Sequence, residues 1–356
     1  MDPTGRPAGQ ATAAGIPRVL IVDDSLVART VLTRIAQDGG GCQVAAAVAD
    51  VPSALRFLAS EMVDVILLDL EMPGIDGLSG LPDLLTAGGG ARVLVVSSAA
   101  GAGAAATVQA LALGAADTLV KPGGSICAGN FAKVLAEKIA RLTDPKEPLS
   151  GAAAAAGLAA RAFDAVAIGA STGGIHALNK VLIELPPTFH APIMVTQHLP
   201  LAFVSHFAGQ LHTATGRRCV VATDRMALED DMIVVAPGDA HLMVAPRRTG
   251  RTTLRLSRTP VANGNLPSVD PMFESGAAHF GARLLAIVLS GMGRDGLDGA
   301  REVHRAGGTV VVQDRESSVV WGMPGAVAAA GLADAVLSPS AIGGFVAGQM
   351  GAAACR

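Results

Sequence analysis

The sequence predicts an α/β protein made of two doubly wound units: an N-terminal five-stranded parallel sheet, and a C-terminal sheet that is mostly parallel with an antiparallel hairpin. Three observations carry this. Short β-branched runs alternate with amphipathic helical patterns in two series, over 17–142 and again over 162–349. Alternation of this kind needs crossover helices that cover both faces of a parallel sheet. The stretch "TDPKEPLSGAAAAAGLAAR" separates the series as a linker over 143–161, after a Pro/Gly/Ala-rich tail over 1–16. Finally, 356 residues exceed the size at which one core keeps growing.

In chain order the first series reads "RVLIV", "SLVARTVLTRIAQ"; "CQVAAAV", "VPSALRFLAS"; "VDVILLD", "GLSGLPDLLTA"; "RVLVVSS", "AAATVQALALG"; "DTLV", "NFAKVLAEKIARL". The alanines of the linker have high helix propensity, so a helical spacer and a loose tether both fit it. The second series has strands near "DAVAIGA", "APIMVTQ", "MIVVAPG", "LLAIVLSG" and "TVVVQD". Its helices lie near "IHALNKVLIEL", "AFVSHFAGQL", "MFESGAAHFG", "GLDGAREVHRAG" and "PGAVAAAGLA". Between them "AHLMVAPRRTGRTTLRLS" alternates as a hairpin does.

Composition removes several function classes. A net charge of -3 and 3% aromatic residues leave neither a basic field nor stacking platforms, which argues against nucleic acid. The cysteines Cys42, Cys127, Cys219 and Cys355 form no close pair, so neither a zinc site nor a disulfide framework is expected. No unbroken apolar run of about 18 residues reads as a span, and no leader pattern opens the chain. A soluble cytoplasmic protein without membrane insertion is the expectation.

In the first series "LIVDDS" ends a strand with Asp23 and Asp24, and "VILLDLEMPGIDG" ends another with Asp69. Strands one and three of an open parallel sheet are neighbours, and their carboxyl ends border a ligand crevice. Three carboxylates there repel one another unless a hard cation such as Mg²⁺ sits among them. Ser97 and Lys121 end later strands on the same edge, a hydroxyl and an ammonium suited to an incoming phosphoryl group. The plainer reading is that Asp23 and Asp24 cap the helix that follows.

In the second series "GASTGG" follows an apolar strand. It fits a serine nucleophile turn, a dinucleotide loop or a tight turn. A dinucleotide loop needs an acidic residue at the end of the next strand, and that strand ends in Gln197 and His198. An imidazole at a neighbouring strand end suits a nucleophilic Ser171 instead. A carboxylate to orient it is offered by "SGMGRDGLDG" in Asp295 or Asp298, which spacing alone does not separate. His206 and His212 sit on a helical pattern and His241 follows "APGDA", so none has the strand-end position of His198.

With "VDDS", "LLDLEMPGIDG" and "KP", residues from about 17 to 142 resemble response-regulator receiver domains. Residues from about 163 to 346 resemble the catalytic domain of chemotaxis protein-glutamate methylesterases of the CheB type. The motifs are "IGASTGG", "VTQHLP", "VVAPGDAHLMV", "PSVDPMFESGA", "VLSGMGRDG" and "QDRESSVVWGMPGAV". The resemblance implies a phosphoryl acceptor at Asp69, Mg²⁺ held by Asp23, Asp24 and Asp69 with the Glu71 carbonyl, and Ser97 and Lys121 contacting the phosphate. It implies a Ser171, His198, Asp295 triad, which selects Asp295 over Asp298, with Thr172 beside the nucleophile and the Met292 backbone amide as oxyanion donor.

It further implies a metal-free serine esterase that hydrolyses glutamate γ-methyl esters on methyl-accepting chemotaxis receptors, with deamidation of receptor glutamines as a side activity. A histidine kinase would be the phosphodonor, and the unphosphorylated receiver would cover the Ser171 rim. Thr118 stands where receivers commonly carry an aromatic switch residue, Ser290 where the family commonly has threonine, and Trp321 where tyrosine is frequent. The competing reading is a phosphorylation-controlled binding module with an esterase-like domain that does not turn over.

Overall fold

A computed structural model describes residues 16–39, 41–97, 102–121, 128–143, 162–246 and 250–351. Apart from residues 16 and 143, the expected tail and linker lie outside the described residues, as do Cys127 and Cys355.

The first unit runs β1 (Arg18–Val22), α1 (Leu26–Gly39), β2 (Gln43–Val48), α2 (Val51–Leu58), β3 (Val65–Leu68), α3 (Gly77–Ala87), β4 (Arg92–Ser97), α4 (Ala102–Leu113), β5 (Asp117–Val120) and α5 (Ala128–Leu142). Its five strands pair in the order β2-β1-β3-β4-β5, all parallel. β3 is apolar throughout and fully buried, as a strand covered on both faces must be. Short polar residues start the helices: Asp50 and Asp76 each accept a backbone N–H at 2.7 Å, and Ser25 Oγ accepts Ala28 N–H. Ser25 therefore caps α1, while Asp23 Oδ1 accepts the Ser25 N–H at 2.9 Å and its Oδ2 faces Lys121.

The second unit runs β6 (Ala165–Ala170), α6 (Gly174–Ile183), β7 (Ile193–Gln197), α7 (Leu201–Thr215), β8 (Arg218–Val221), β9 (Met232–Val235), β10 (His241–Val244), β11 (Leu254–Ser257), α8 (Val269–Phe280), β12 (Leu284–Val288), α9 (Leu297–Arg305), β13 (Thr309–Gln313), α10 (Met323–Ala329), β14 (Ala335–Leu337) and α11 (Pro339–Gly351). The main sheet is seven-stranded, ordered β14-β13-β12-β6-β7-β9-β8, and every pairing in it is parallel. The antiparallel hairpin is a separate two-stranded sheet, β10 with β11, packed on α8. Two edge strands and one helix go beyond the elements expected. β8 is half-exposed and opens on Arg218, β14 has three residues, and α11 buries only Ile342 and Val346 among its described large apolar residues in a Gly- and Ala-rich stretch, so none carries a strong periodic signal.

The chain leaves β6 for β7 on one side and later returns to β12 on the other. The carboxyl ends of β12, β6 and β7 thus flank a topological switch point, the usual ligand crevice of an open α/β sheet. The first unit lies against this edge: α4 packs on α6 and α7, and Gly173 N–H donates to Ala116 O at 2.7 Å.

Candidate active site and phosphorylation site

Ser171 follows β6 directly, His198 follows β7, and Asp295 lies in the turn after β12. Gly173 enters α6 with φ +76°, and a Cβ there would stand 2.5 Å from Val319. A Cβ on Gly291 would stand 2.9 Å from the Ser171 Cβ and 2.3 Å from Met323 Sδ. Only glycine lets these two turns close around the serine. The turn is pinned by Ser171 N–H on Ser290 O (3.0 Å), by Gln197 Nε2 on Ser171 O (2.9 Å) and by His198 N–H on Ala170 O (3.0 Å).

His198 Nε2 donates to Asp295 Oδ2 at 2.7 Å. A carboxylate only accepts, so the proton is on Nε2 and the Nδ1 lone pair remains to act as base. Ser171 Oγ makes no hydrogen bond to His198 among the described residues; both side chains line one cavity of about 280 Å³. Such contacts are often loose without substrate and tighten in the reacting complex.

Asp295 is fully buried and sits on the N-terminus of α8, where unpaired N–H groups favour an anion. Besides His198 it accepts Ser268 Oγ (2.7 Å), Asn263 Nδ2 (2.8 Å) and the N–H groups of Val269 (2.9 Å), Gly296 (2.9 Å) and Asp270 (3.3 Å). Burial alone would raise its affinity for a proton. His198, Ser268 and Val269 more than offset that and hold the carboxyl well below the usual carboxylate range.

Asp298 is exposed on α9 and pairs with Arg301 at 2.6 Å. His241 is buried on β10, bonded to Ser268 N–H (2.9 Å) and to Thr259 O (3.0 Å), and so acts as a strut. The Ser290 hydroxyl donates to Thr172 O (2.7 Å) and accepts Val320 N–H (3.1 Å), which ties β12 to both neighbouring turns. Trp321 donates from Nε1 to Gln313 O at 2.9 Å, and the Arg315 guanidinium lies 5.4 Å from its ring centre.

The cavity is roofed by the first unit, through Asp117, Thr118, Leu119, Phe131 and Lys138. Thr172 Oγ1 donates to Asp117 Oδ2 at 2.7 Å, and Asp117 is also paired with Lys138 at 2.5 Å. Arg141 Nη1 reaches the Met292 sulfur at 2.8 Å, and His176 Nδ1 donates to Ala112 O at 2.8 Å. The Met292 backbone N–H has no acceptor among the described residues. Thr118 is buried, and its hydroxyl oxygen has no hydrogen-bond partner among the described residues.

At the other site, ligand oxygens of Asp23, Asp24 and Asp69 lie within 4.8 Å of one another. Lys121 Nζ stands 2.7 Å from Asp69 Oδ2 and 3.1 Å from Asp23 Oδ2. The second contact is an ion pair without hydrogen-bond alignment, so the buried Asp23 Oδ2 has no hydrogen-bond partner among the described residues. Burial pushes the proton affinity of Asp69 up, Lys121 pulls it down, and the charge of Asp23 raises it again. Hard oxygen donors with one buried oxygen unsatisfied are a set that fits Mg²⁺. Ser97, at the end of β4, shares a 2.8 Å hydrogen bond with Thr107.

Three residues behind Asp295 escaped the sequence reading, Asn263, Ser268 and Asp270, and Asp117 and Lys138 in the roof of the cavity escaped it too. "PSVD" held two of the first group, without a sign of what they meet.

A family model described as CheB methylesterase matches residues 166–346, and one described as a response regulator receiver domain matches residues 19–126. The chain is 41% identical over 342 residues to protein-glutamate methylesterase/protein-glutamine glutaminase 2 of Caulobacter vibrioides, covering 93% of this chain and 98% of that protein. It is 38% identical over 353 residues to protein-glutamate methylesterase/protein-glutamine glutaminase 1 of Paramagnetospirillum magneticum, covering 90% and 92%. Among solved structures, the CheB methylesterase catalytic domain of Thermotoga maritima is 34% identical with a TM-score of 0.51, covering 52% of this chain and 98% of that one.

Proposed function

Because this chain belongs to the CheB methylesterase family and carries a response regulator receiver domain on the same polypeptide, we propose that Ser171, His198 and Asp295 are the triad of its esterase and that Asp69 is its phosphorylation site. The activity is that of a protein-glutamate methylesterase/protein-glutamine glutaminase of chemotaxis: hydrolysis of glutamate γ-methyl esters on receptors with release of methanol, and deamidation of glutamines by the same route. In this reading the receiver spans 17–142, the linker 143–161 and the catalytic domain 162–349.

One observation carries the assignment: three strand ends at the switch point bring together a serine, an imidazole with its base nitrogen free and a buried carboxylate, at a 2.7 Å His198–Asp295 bond. Ser171 would attack the ester carbonyl while His198 Nδ1 takes its proton. The Met292 N–H would hold the oxyanion, and the imidazolium would return the proton to departing methanol. Water activated by the same nitrogen would then cleave the glutamyl-serine ester. The test is methanol release from methylated receptors with and without a phosphodonor; no release in either case favours the non-catalytic binding module.

Asp23, Asp24 and Asp69 would hold Mg²⁺, which when bound neutralises charge on the incoming phosphoryl group. Lys121 and Ser97 would contact the phosphate on Asp69. A chelator should therefore abolish labelling of Asp69 by a small acyl phosphate and leave the unphosphorylated rate of methanol release unchanged. A histidine kinase as phosphodonor, chemotaxis receptors as substrate and a cytoplasmic setting complete the reading. Among the described residues no helix is long and apolar enough to cross a membrane.

The receiver's roof over the cavity supports an inhibitory role for it. Hydrogen bonds from Thr172 to Asp117, from Gly173 to Ala116 and from His176 to Ala112 hold the roof closed. At about 1 kcal/mol net each, the three together are worth roughly a hundredfold. Deleting residues 1–150 should raise the unphosphorylated rate by that order. A truncated enzyme no faster than the intact one removes the inhibitory role.

A further inference from the structure

Behind Asp295 lies a second buried carboxyl, Asp270, on the first turn of α8. Its Oδ1 accepts Gly299 N–H at 2.8 Å, and its Oδ2 accepts Asn263 Nδ2 at 3.0 Å. The same Asn263 nitrogen donates to Asp295 Oδ1 at 2.8 Å and to Ser268 Oγ at 3.1 Å. The backbone N–H of Asp270 also donates to Asp295 Oδ1 at 3.3 Å, so the two residues meet at one Asn263 nitrogen and one Asp295 oxygen.

Two buried carboxyls joined in this way are stable together only if one is ionised and the other keeps its proton. The surroundings decide which. Asp295 faces six donors, one of them the triad imidazole. Asp270 faces two, and the charges acting on it are those of Asp295 and of Asp298 on α9, both negative. Other titratable side chains near the pair include His198 after β7 and His241 on β10, directed at Asp295 and Ser268, Arg301 on α9, which pairs with Asp298 at 2.6 Å, and Glu274 on α8, which feels Glu302 and Asp298.

We propose that Asp270 is a positioning residue of the esterase: as a neutral carboxyl it joins Asn263 in clamping the Asp295 oxygen away from His198, so that the triad turns on one negative charge and not two. The inference rests on the esterase reading above. Asp270 touches neither Ser171 nor His198 and acts only through Asp295. The clamp fixes the carboxylate plane and hence the imidazole that hangs from its other oxygen. Burial first, and then the charge of Asp295, push Asp270 up to about 7.

The sign of its effect on stability follows. The folded carboxyl holds its proton more tightly than the unfolded one, so its stabilisation is fully present below about pH 4 and is lost as pH rises through about 7. In Asp270→Asn the carboxamide keeps one of the two acceptors, for Gly299 or for Asn263, but cannot ionise. That slope in the urea midpoint should be absent from the variant.

The decisive measurement is the carbon-13 carboxyl titration of Asp270 in the intact, unsubstituted protein, assigned by the resonance missing from Asp270→Asn. A midpoint near neutrality is expected; a midpoint near 4, that of an ordinary aspartate, overturns the proposal. In methanol release, Asp270→Asn should keep kcat within a few-fold and lack the change in kcat/KM that the unsubstituted enzyme shows as the second charge forms on passing through about pH 7. Asp270→Ala, which deletes the clamp, should lose about tenfold in kcat with KM unchanged. Superimposable pH profiles, or equal losses in the two variants, overturn it as well. If the unsubstituted enzyme releases no methanol, the esterase reading alone falls, and the carboxyl titration still decides the clamp.

Discussion

Replacing Ser171 by alanine should abolish methanol release, with a loss of roughly 10⁴-fold or more, while Mg²⁺-dependent phosphorylation of Asp69 proceeds as before. The substitution removes one oxygen and little else. The Ser171 side chain makes no hydrogen bond among the described residues, and the backbone bonds to Ser290 and from Gln197 do not involve it. Its Cβ, against which Gly291 closes, is retained in alanine. Thermal stability should therefore stay within about 0.5 kcal/mol of the unsubstituted protein, as for changes that break no packing or hydrogen bond. What remains is receptor binding and an oxyanion donor without a nucleophile, enough for slow hydrolysis by water at most. Methanol release assayed beside phosphoryl labelling separates the two halves of the chain in one preparation, and near-normal release by Ser171→Ala would end the triad assignment.

The alternation of strands and helices was legible because parallel strands are buried on both faces and so read as unbroken apolar runs; β3 and β12 are the plainest examples. β8 and β14 were not, since short half-exposed edge strands lack that signal. The strand-end residues Ser171, His198 and Asp69 could be picked out because the sheet geometry fixes where strand ends gather. The choice of Asp295 over Asp298 could not come from spacing. It depends on which of the two the fold buries on the α8 N-terminus and which it leaves beside Arg301 in solvent. Asn263, Ser268 and Asp270 are polar residues in a loop and a first helical turn, where such residues ordinarily serve as caps, and only tertiary closure turns them toward Asp295.

Asp117 is a similar case in the other half. As the start of a short strand it carries no motif, yet it bridges Lys138 to Thr172 across the domain boundary, beside Ser171. With Thr118 at the usual aromatic position, the roof over the cavity is made by Leu119, Phe131 and this polar bridge. In the inhibitory reading proposed above, phosphorylation of Asp69 would act by loosening those contacts, which lie between the receiver and Ser171.

Asp295→Asn should cost about 10⁴-fold in kcat and leave KM for methylated receptor nearly unchanged, since the carboxyl is fully buried and lies behind the imidazole. The amide has one oxygen for six donors. Turned toward His198, that oxygen would set its NH₂ against Ser268, Asn263 and Gly296, donor against donor. Turned the other way, it satisfies those groups and presents NH₂ to His198 Nε2, which must then become the acceptor. The second orientation leaves only Val269 N–H without its partner and is therefore favoured. It moves the imidazole proton to Nδ1, the nitrogen that must be bare to take the Ser171 proton. Loss of the anion from the α8 N-terminus should also lower stability by about 1–2 kcal/mol. Nitrogen-15 shifts of His198 in the variant should report the exchanged tautomer alongside the fall in kcat. If kcat is within tenfold of normal, or the proton is still on Nε2, then Asp295 does not orient the base.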